Sequence, residues 1–157
     1  MKEELAIHHD LSKEEKYKEL IPQLKSLLSS ETDSVANYAN VSAALKEAFG
    51  FFWVGFYRVE NDELLLGPFQ GKIACTRIQY GKGVCGTAWK EKRTIIVPDV
   101  EKFEGHIACN SASRSEIVVP VIRNDRVLAV LDIDSDVPDD FDPVDAAYLE
   151  EIINLLP

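Results

Sequence analysis

The sequence is short of basic residues and of long apolar runs. Its 157 residues include 17 Lys and Arg against 27 Asp and Glu, which gives a formal net charge of −10. Because nucleic acids and anionic membrane surfaces bind basic patches, we expect neither as a partner. The longest apolar runs, such as FFWVGF and VLAVL, are far shorter than the roughly 20 residues that cross a bilayer. We therefore expect no membrane-spanning segment.

Cysteine is also scarce. The chain has three cysteines, Cys75, Cys85 and Cys109, and no two of them form the C-x-x-C pair of a zinc knuckle. The N-terminal stretch MKEELAIHHDLSKEEK has no apolar h-region, so we expect no secretory signal and a cytoplasmic location. A reducing cytoplasm disfavours a stable structural disulfide. Core packing, a metal site that includes His106, and redox chemistry on a substrate all stay open at this point.

The pattern of apolar residues predicts an α+β fold. Ser12 and Glu15 form a capping box before a first helix, and Pro22 inside that helix predicts a kink. A second helix should begin at Asp33 or Ser34 and end at Gly50. Aromatic and β-branched runs predict strands at 51–60, 63–69, 73–80, 94–97, 116–123 and 126–134, and helices should follow Gly83 and Asp142.

These elements predict a mostly antiparallel sheet of about six strands flanked by helices. We expect a single domain over residues 1–157. It would comprise a helical part at about 12–50, a sheet and active-site part at about 51–136, and a C-terminal helix at about 142–156. The polar connection 99–115 has the length of a functional lid.

Acidic residues end the strand VLAVLDIDSD. Strict alternation places four of its residues on one face, namely Leu128, Val130, Asp132 and Asp134. The turn at 124–125 should bring Glu116 to the same end of the sheet. Clustered carboxyls raise one another's pKa, so one could stay protonated as a general acid while the others bind an ammonium or a metal ion. Solvated acids at the end of a strand are an equal alternative.

Two of the cysteines have surroundings that suit redox chemistry. Cys85 follows glycines at the start of a predicted helix, where backbone N–H groups favour a thiolate. Cys109 lies in the polar connection 99–115, where a substrate could reach it. A second thiol nearby could trap an oxidised sulfur as a disulfide. Redox chemistry therefore explains more of these features than a metal site does.

Longer motifs carry a more specific likeness. They are FFWVGFYRV (51–59), LGPFQGKIACTRIQYGKGVCGTAW (66–89), VPDV (97–100), HIACNSASRSEIVVP (106–120) and VLDIDSD (130–136). In these motifs the chain resembles the free methionine-(R)-sulfoxide reductases, a family built on the GAF domain. The three cysteines follow the spacing of that family, which GAF domains in general do not have.

The resemblance implies an enzyme that reduces free L-methionine (R)-S-oxide to methionine. Cys109 would be the nucleophile that becomes a sulfenic acid, and Cys75 would resolve it as a disulfide. Cys85 would be an auxiliary redox cysteine, and the order in which Cys75 and Cys85 act stays open. Thioredoxin, recharged by NADPH, would be the external reductant, with no bound cofactor and no metal.

The resemblance also assigns the remaining site residues. Glu116, Asp132 and Asp134 would hold the substrate, and Glu116 would supply the proton. Trp53 and Tyr57 would form an aromatic wall beside the substrate methyl group. GAF domains often pair through their helices, so a homodimer is expected. A non-catalytic GAF module that senses a small molecule is the alternative function.

Overall fold

The computed structural model describes residues 4–157, so the first three residues of the expected domain lie outside the described part. The helices are α1 (Lys13–Leu28), α2 (Ser34–Phe49), α3 (Gly83–Glu91) and α4 (Pro143–Asn154), with a 3-10 turn at Val100–Lys102. The strands are β1 (Trp53–Glu60), β2 (Glu63–Gln70), β3 (Arg77–Gln79), β4 (Ile95–Val97), β5 (Ser115–Arg123) and β6 (Arg126–Ser135). Across the described residues, none of the helices combines the length and the apolar character that a membrane span requires.

The six strands form one sheet in the order β3-β2-β1-β6-β5-β4. Every neighbouring pair in this order is antiparallel. The α+β fold class and the mostly antiparallel sheet of about six strands are therefore confirmed. β1 and β6, which carry Trp53, Tyr57 and the two aspartates of the expected site, are the central strands.

The sheet separates two hydrophobic clusters because side chains alternate between its faces. The larger cluster packs α1, α2 and α4 against residues such as Phe56 and Leu131. The smaller cluster lies on the opposite face, where α3 packs against residues such as Tyr57 and Val130. The side chains of the expected site belong to this smaller cluster or lie beside it.

The predicted helix ends are confirmed. The Ser12 hydroxyl caps α1 by accepting a hydrogen bond from the Glu15 backbone N–H at 3.3 Å. The Glu15 carboxylate accepts from the Ser12 hydroxyl at 2.8 Å and not from the Ser12 backbone N–H, so only half of the predicted capping box forms. The Asp33 carboxylate caps α2, which ends at Gly50 with φ of 66°. Asp142 caps α4 with Pro143 at its first position. These signals act within one turn of helix, which is why they can be read from the sequence.

Two strand predictions are wrong in part. The predicted strand 73–80 is reduced to Arg77–Gln79, because residues 71–76 form a loop. Leu128 does not share a face with Val130, since the β5–β6 register shifts so that Ile122 pairs with Val127. This bulge leaves Leu128 46% exposed. Past the bulge the predicted alternation holds for Val130, Asp132 and Asp134.

Candidate active site

A cavity opens on the face of the sheet that carries α3. Its floor is formed by side chains of β1, β5 and β6, and its walls by α3 and the two loops that precede β3 and β5. The expected site residues that line it are Trp53, Tyr57, Cys85, Cys109, Glu116, Asp132 and Asp134. Cys75 lies in the loop before β3 and is bonded to Cys109. The fold therefore brings together all eight residues that the sequence and its resemblance pointed to.

The sulfur pair bridges the two loops. Cys75 and Cys109 form a disulfide with a Cα–Cα distance of 5.5 Å, although 34 positions separate them in the chain. Both residues are half-buried. This is the pair that the resemblance implied.

Cys85 is chemically different from the other two cysteines. It is free and only 3% exposed, in the first turn of α3. Burial raises the pKa of its thiol well above the ordinary value, and the charges of Asp132, Glu116 and Asp134 act in the same direction. The expectation of a thiolate at this position is therefore wrong. Burial beside acidic side chains raises the pKa of this thiol by more than the start of the helix lowers it.

Glu116 and Asp134 face each other across the β5–β6 ladder, and Asp132 lies two residues further along β6. Asp132 is 6% exposed, so the alternative of solvated acids at the end of this strand is wrong for Asp132, whereas Asp134 is half-buried. Glu116 is also buried, at 5% exposed. Burial, followed by the charge of Asp134, raises the pKa of Glu116 to about 8. Burial is also the main reason that the pKa values of Asp132 and Asp134 lie well above the ordinary value.

One oxygen atom of the acidic cluster lacks a hydrogen-bond donor among the described residues. Within residues 4–157, the Oδ1 atom of Asp132 is buried without a hydrogen-bond partner. Donor atoms of Cys85, Glu116 and Asp132 lie within 4.8 Å of one another, so a single cation, either an ammonium group or a metal ion, could face all three. The zinc set of three cysteines with His106 is not assembled, since two of the sulfurs are bonded to each other.

His106 also belongs to the site. It lines the cavity, and its Nε2 atom lies 3.6 Å from Oε1 of Glu116. Burial lowers the pKa of His106, against an opposing effect of the Asp132 charge. A neutral imidazole leaves the acidic cluster without a compensating positive charge from this side.

Trp53 and Tyr57 project from β1 into the same cavity. Trp53 is 4% exposed and Tyr57 is 2% exposed. Their rings stack with centroids 6.0 Å apart, and Trp53 also stacks on Phe69 at 5.2 Å. The two rings form an aromatic wall next to the acids. Contact of this wall with a substrate methyl group, which the resemblance implies, stays a prediction.

Comparison with known proteins places this arrangement in a family. The GAF domain model matches residues 34–156. The GAF domain-containing protein A of Dictyostelium discoideum is 59% identical over 146 residues, which cover 92% of each chain. The free methionine-R-sulfoxide reductase of Saccharomyces cerevisiae is 45% identical, with 94% of this chain and 87% of the yeast protein covered. The X-ray structure of the Neisseria meningitidis free methionine-R-sulfoxide reductase in complex with its substrate matches with a TM-score of 0.93 and 52% identity, covering 97% of this chain and 93% of that one.

The chain belongs to the free methionine-R-sulfoxide reductase family of GAF domains. His106 lines the cavity of this GAF domain beside Glu116, whereas the sequence suggested it only as a possible metal ligand. The available signal was its position three residues before Cys109. That spacing was weighed only as a possible metal motif. The cavity also includes Asn110 and Ser113 of the same loop, which carried no separate signal.

Proposed function

We propose that the protein reduces free L-methionine (R)-S-oxide to L-methionine by thiol chemistry at Cys109. The observation that carries this proposal is the Cys75–Cys109 disulfide beside a cavity whose floor holds a buried, high-pKa acid. Relatives with the name of this activity add support. A module that only binds a ligand has no use for this pair of sulfurs.

In the first step, the reduced Cys109 attacks the sulfoxide sulfur as a thiolate. The sulfoxide oxygen takes a proton from Glu116, whose pKa of about 8 keeps it protonated at neutral pH. Methionine leaves, and Cys109 becomes a sulfenic acid. The substrate sulfur is reduced by two electrons and the cysteine sulfur is oxidised by two.

In the second step, the Cys75 thiol attacks the sulfenic acid, which releases water and forms the disulfide. The resting enzyme is restored by an external dithiol, for which we propose thioredoxin recharged by NADPH. The role of Cys85 is auxiliary in this scheme. Its buried thiol is a poor nucleophile because its pKa is raised.

Selection of the free amino acid follows from the acidic floor. The ammonium group of a free amino acid would meet Asp132, whose Oδ1 has no partner among the described residues, and the neighbouring Asp134. A methionine sulfoxide inside a protein chain has no such charge. The difference is a charge-assisted hydrogen bond in a dry site, which is a strong basis for discrimination.

The test is NADPH consumption with thioredoxin, thioredoxin reductase and each epimer of free methionine sulfoxide. We expect NADPH consumption with the R form and none with Cys109→Ser. Cys75→Ser should release about one equivalent of methionine and then stall without consuming NADPH, so released methionine is measured alongside NADPH. Cys85→Ser tests the auxiliary role of the third thiol, because it removes a cavity-lining sulfur that is not part of the disulfide; repeated turnover should persist. Binding of the R form without turnover by the fully reduced protein would favour the sensor function instead.

A homodimer and a cytoplasmic location also belong to this proposal. Light scattering coupled to gel filtration measures the first, and fractionation of the producing cells measures the second. A monomer at micromolar concentration would contradict the homodimer without affecting the chemistry at Cys109.

A further inference from the structure

The loop that carries Cys75 is held to the floor of the cavity by side chains. Within this loop, the Lys72 carbonyl accepts a hydrogen bond from the Trp53 indole N–H at 2.9 Å. The Cys75 carbonyl accepts one from the Tyr57 hydroxyl at 2.8 Å. The second bond is made by the peptide of the sulfur-bearing residue itself. Residues 73–76, which the sequence predicts as the start of a strand, lie in this loop.

Both donors are themselves rigid. Tyr57 pairs with Leu66 of β2 on one side and with Val130 of β6 on the other, and Trp53 pairs with Asp134 of β6, so the sheet fixes the backbone of both residues. The Trp53 ring is also tightly enclosed. A Cβ atom added to Gly71 would lie 2.6 Å from Trp53 Cδ1, and one added to Gly55 would lie 2.8 Å from its ring. The glycines allow the loop and the strand to close around the indole.

Cys109 has a separate support. Its backbone N–H donates to the Ile107 carbonyl at 3.1 Å, and the Asn110 side chain accepts from the Ala112 N–H at 2.9 Å. These bonds stay within the connection before β5. Of the two disulfide-bonded cysteines, Cys75 is therefore the one whose own carbonyl is hydrogen-bonded to an aromatic side chain of β1.

We propose that Trp53 and Tyr57 are positioning residues for the resolving thiol, in addition to lining the cavity. The Tyr57 bond holds the Cys75 peptide, and the Trp53 bond holds the Lys72 peptide three residues earlier in the same loop. Together they keep the Cys75 sulfur within reach of Cys109, at a Cα separation of 5.5 Å that suits a disulfide. This inference rests on the proposed function. It concerns the second step, in which the Cys75 thiol attacks the Cys109 sulfenic acid and water leaves.

The test separates the two steps in a single turnover of the reduced protein with one equivalent of methionine sulfoxide. Released methionine reports the first step. The disulfide-linked pair of tryptic peptides that carry Cys75 and Cys109 reports the second. Dimedone traps the sulfenic acid between them. For Tyr57→Phe, and for Trp53→Phe, we expect the rate of disulfide formation relative to methionine release to fall about 3- to 10-fold. A decrease of this size corresponds to the loss of one buried hydrogen bond. Dimedone labelling of Cys109 should rise accordingly.

Tyr38→Phe is the matched control, because Tyr38 is a buried tyrosine in the cluster on the other face of the sheet. Its ratio of the two rates should equal that of the wild type. If Tyr57→Phe and Trp53→Phe slow both steps equally, the two rings act only on the substrate and the inference is refuted.

A second measurement does not need the substrate. In glutathione redox buffers, the equilibrium between the dithiol and the Cys75–Cys109 disulfide gives the effective concentration of one thiol at the other. We expect this concentration to be about 3- to 10-fold lower in Tyr57→Phe than in the wild type and in Tyr38→Phe. Equal values would overturn the inference. A wild-type protein without reductase activity would refute the proposed function while leaving this result interpretable.

Discussion

Replacing Glu116 with glutamine should make the protein more stable at alkaline pH. The ordinary pKa of this carboxyl is 4.5, and burial with the charge of Asp134 raises it to about 8 in the folded chain. Between these two values the folded protein holds a proton that the unfolded chain has released. The stabilising effect of the buried, protonated acid is therefore fully present below pH 4.5 and is lost as the pH rises to about 8. Glutamine has nearly the same shape and does not titrate.

The size of the effect follows from the two pKa values. Each pH unit between them changes the free energy of unfolding by about 1.4 kcal/mol, so the whole interval from 4.5 to about 8 corresponds to about 5 kcal/mol. The coupling to Asp132 acts in the same direction. The charge of Glu116 is one cause of the raised pKa of Asp132, so its removal also makes ionisation of Asp132 easier.

The assay is urea unfolding of the disulfide form of the wild type and Glu116→Gln at intervals from pH 5 to pH 9. The difference in unfolding free energy should rise steadily in favour of the variant up to about pH 8 and then level off. Glu101→Gln, at an exposed position of the 3-10 turn, controls for the loss of one negative charge from an acidic chain. A difference between Glu116→Gln and the wild type that stays constant over this range would show that Glu116 ionises freely in the folded protein.

Three other measurements test the chemistry of the site. The wild-type kcat/KM should fall as the pH rises above about 8, the pKa of Glu116, whereas Glu116→Gln should lose about 100-fold in kcat and show no such decline. Asp132→Asn should raise the KM for free methionine sulfoxide about 10-fold or more but leave turnover of its N-acetyl derivative nearly unchanged, since that compound has no ammonium group. Cys85, 3% exposed and with a raised pKa, should react with iodoacetamide at pH 8 only after unfolding, as peptide mapping of native and denatured samples would detect. Rapid labelling in the native protein would contradict its burial.

The features that the sequence predicted well are local ones. Ser12, Asp33 and Asp142 cap the following helices through side-chain bonds that span at most three residues. The convergence of Glu116 with Asp132 and Asp134 was also predictable. It needs only the short turn between two adjacent strands and the alternation of side chains along each strand.

The features that the sequence did not reveal depend on distant partners. Residues 73–76 have the composition of a strand, but Trp53 and Tyr57 take up two of the loop's carbonyl groups from about 19 positions away. The thiolate expected at Cys85 followed from the start of α3 alone. The acids that reverse this expectation come from β5 and β6 and reach the thiol only in the folded chain.

Under the proposed function, the acids and the aromatic rings would give the cavity floor two functions at once. A buried Asp132 oxygen without a partner destabilises the empty protein, and a ligand ammonium would remove that penalty because it binds only the folded form. The rings beside it would contact the apolar end of the same ligand, while their polar atoms bond the Lys72 and Cys75 carbonyls of the loop before β3. In the proposed mechanism, substrate binding and disulfide formation would therefore depend on the same strand, β1. Since β1 is paired on both edges, the geometry of the second step would be set before the first step begins.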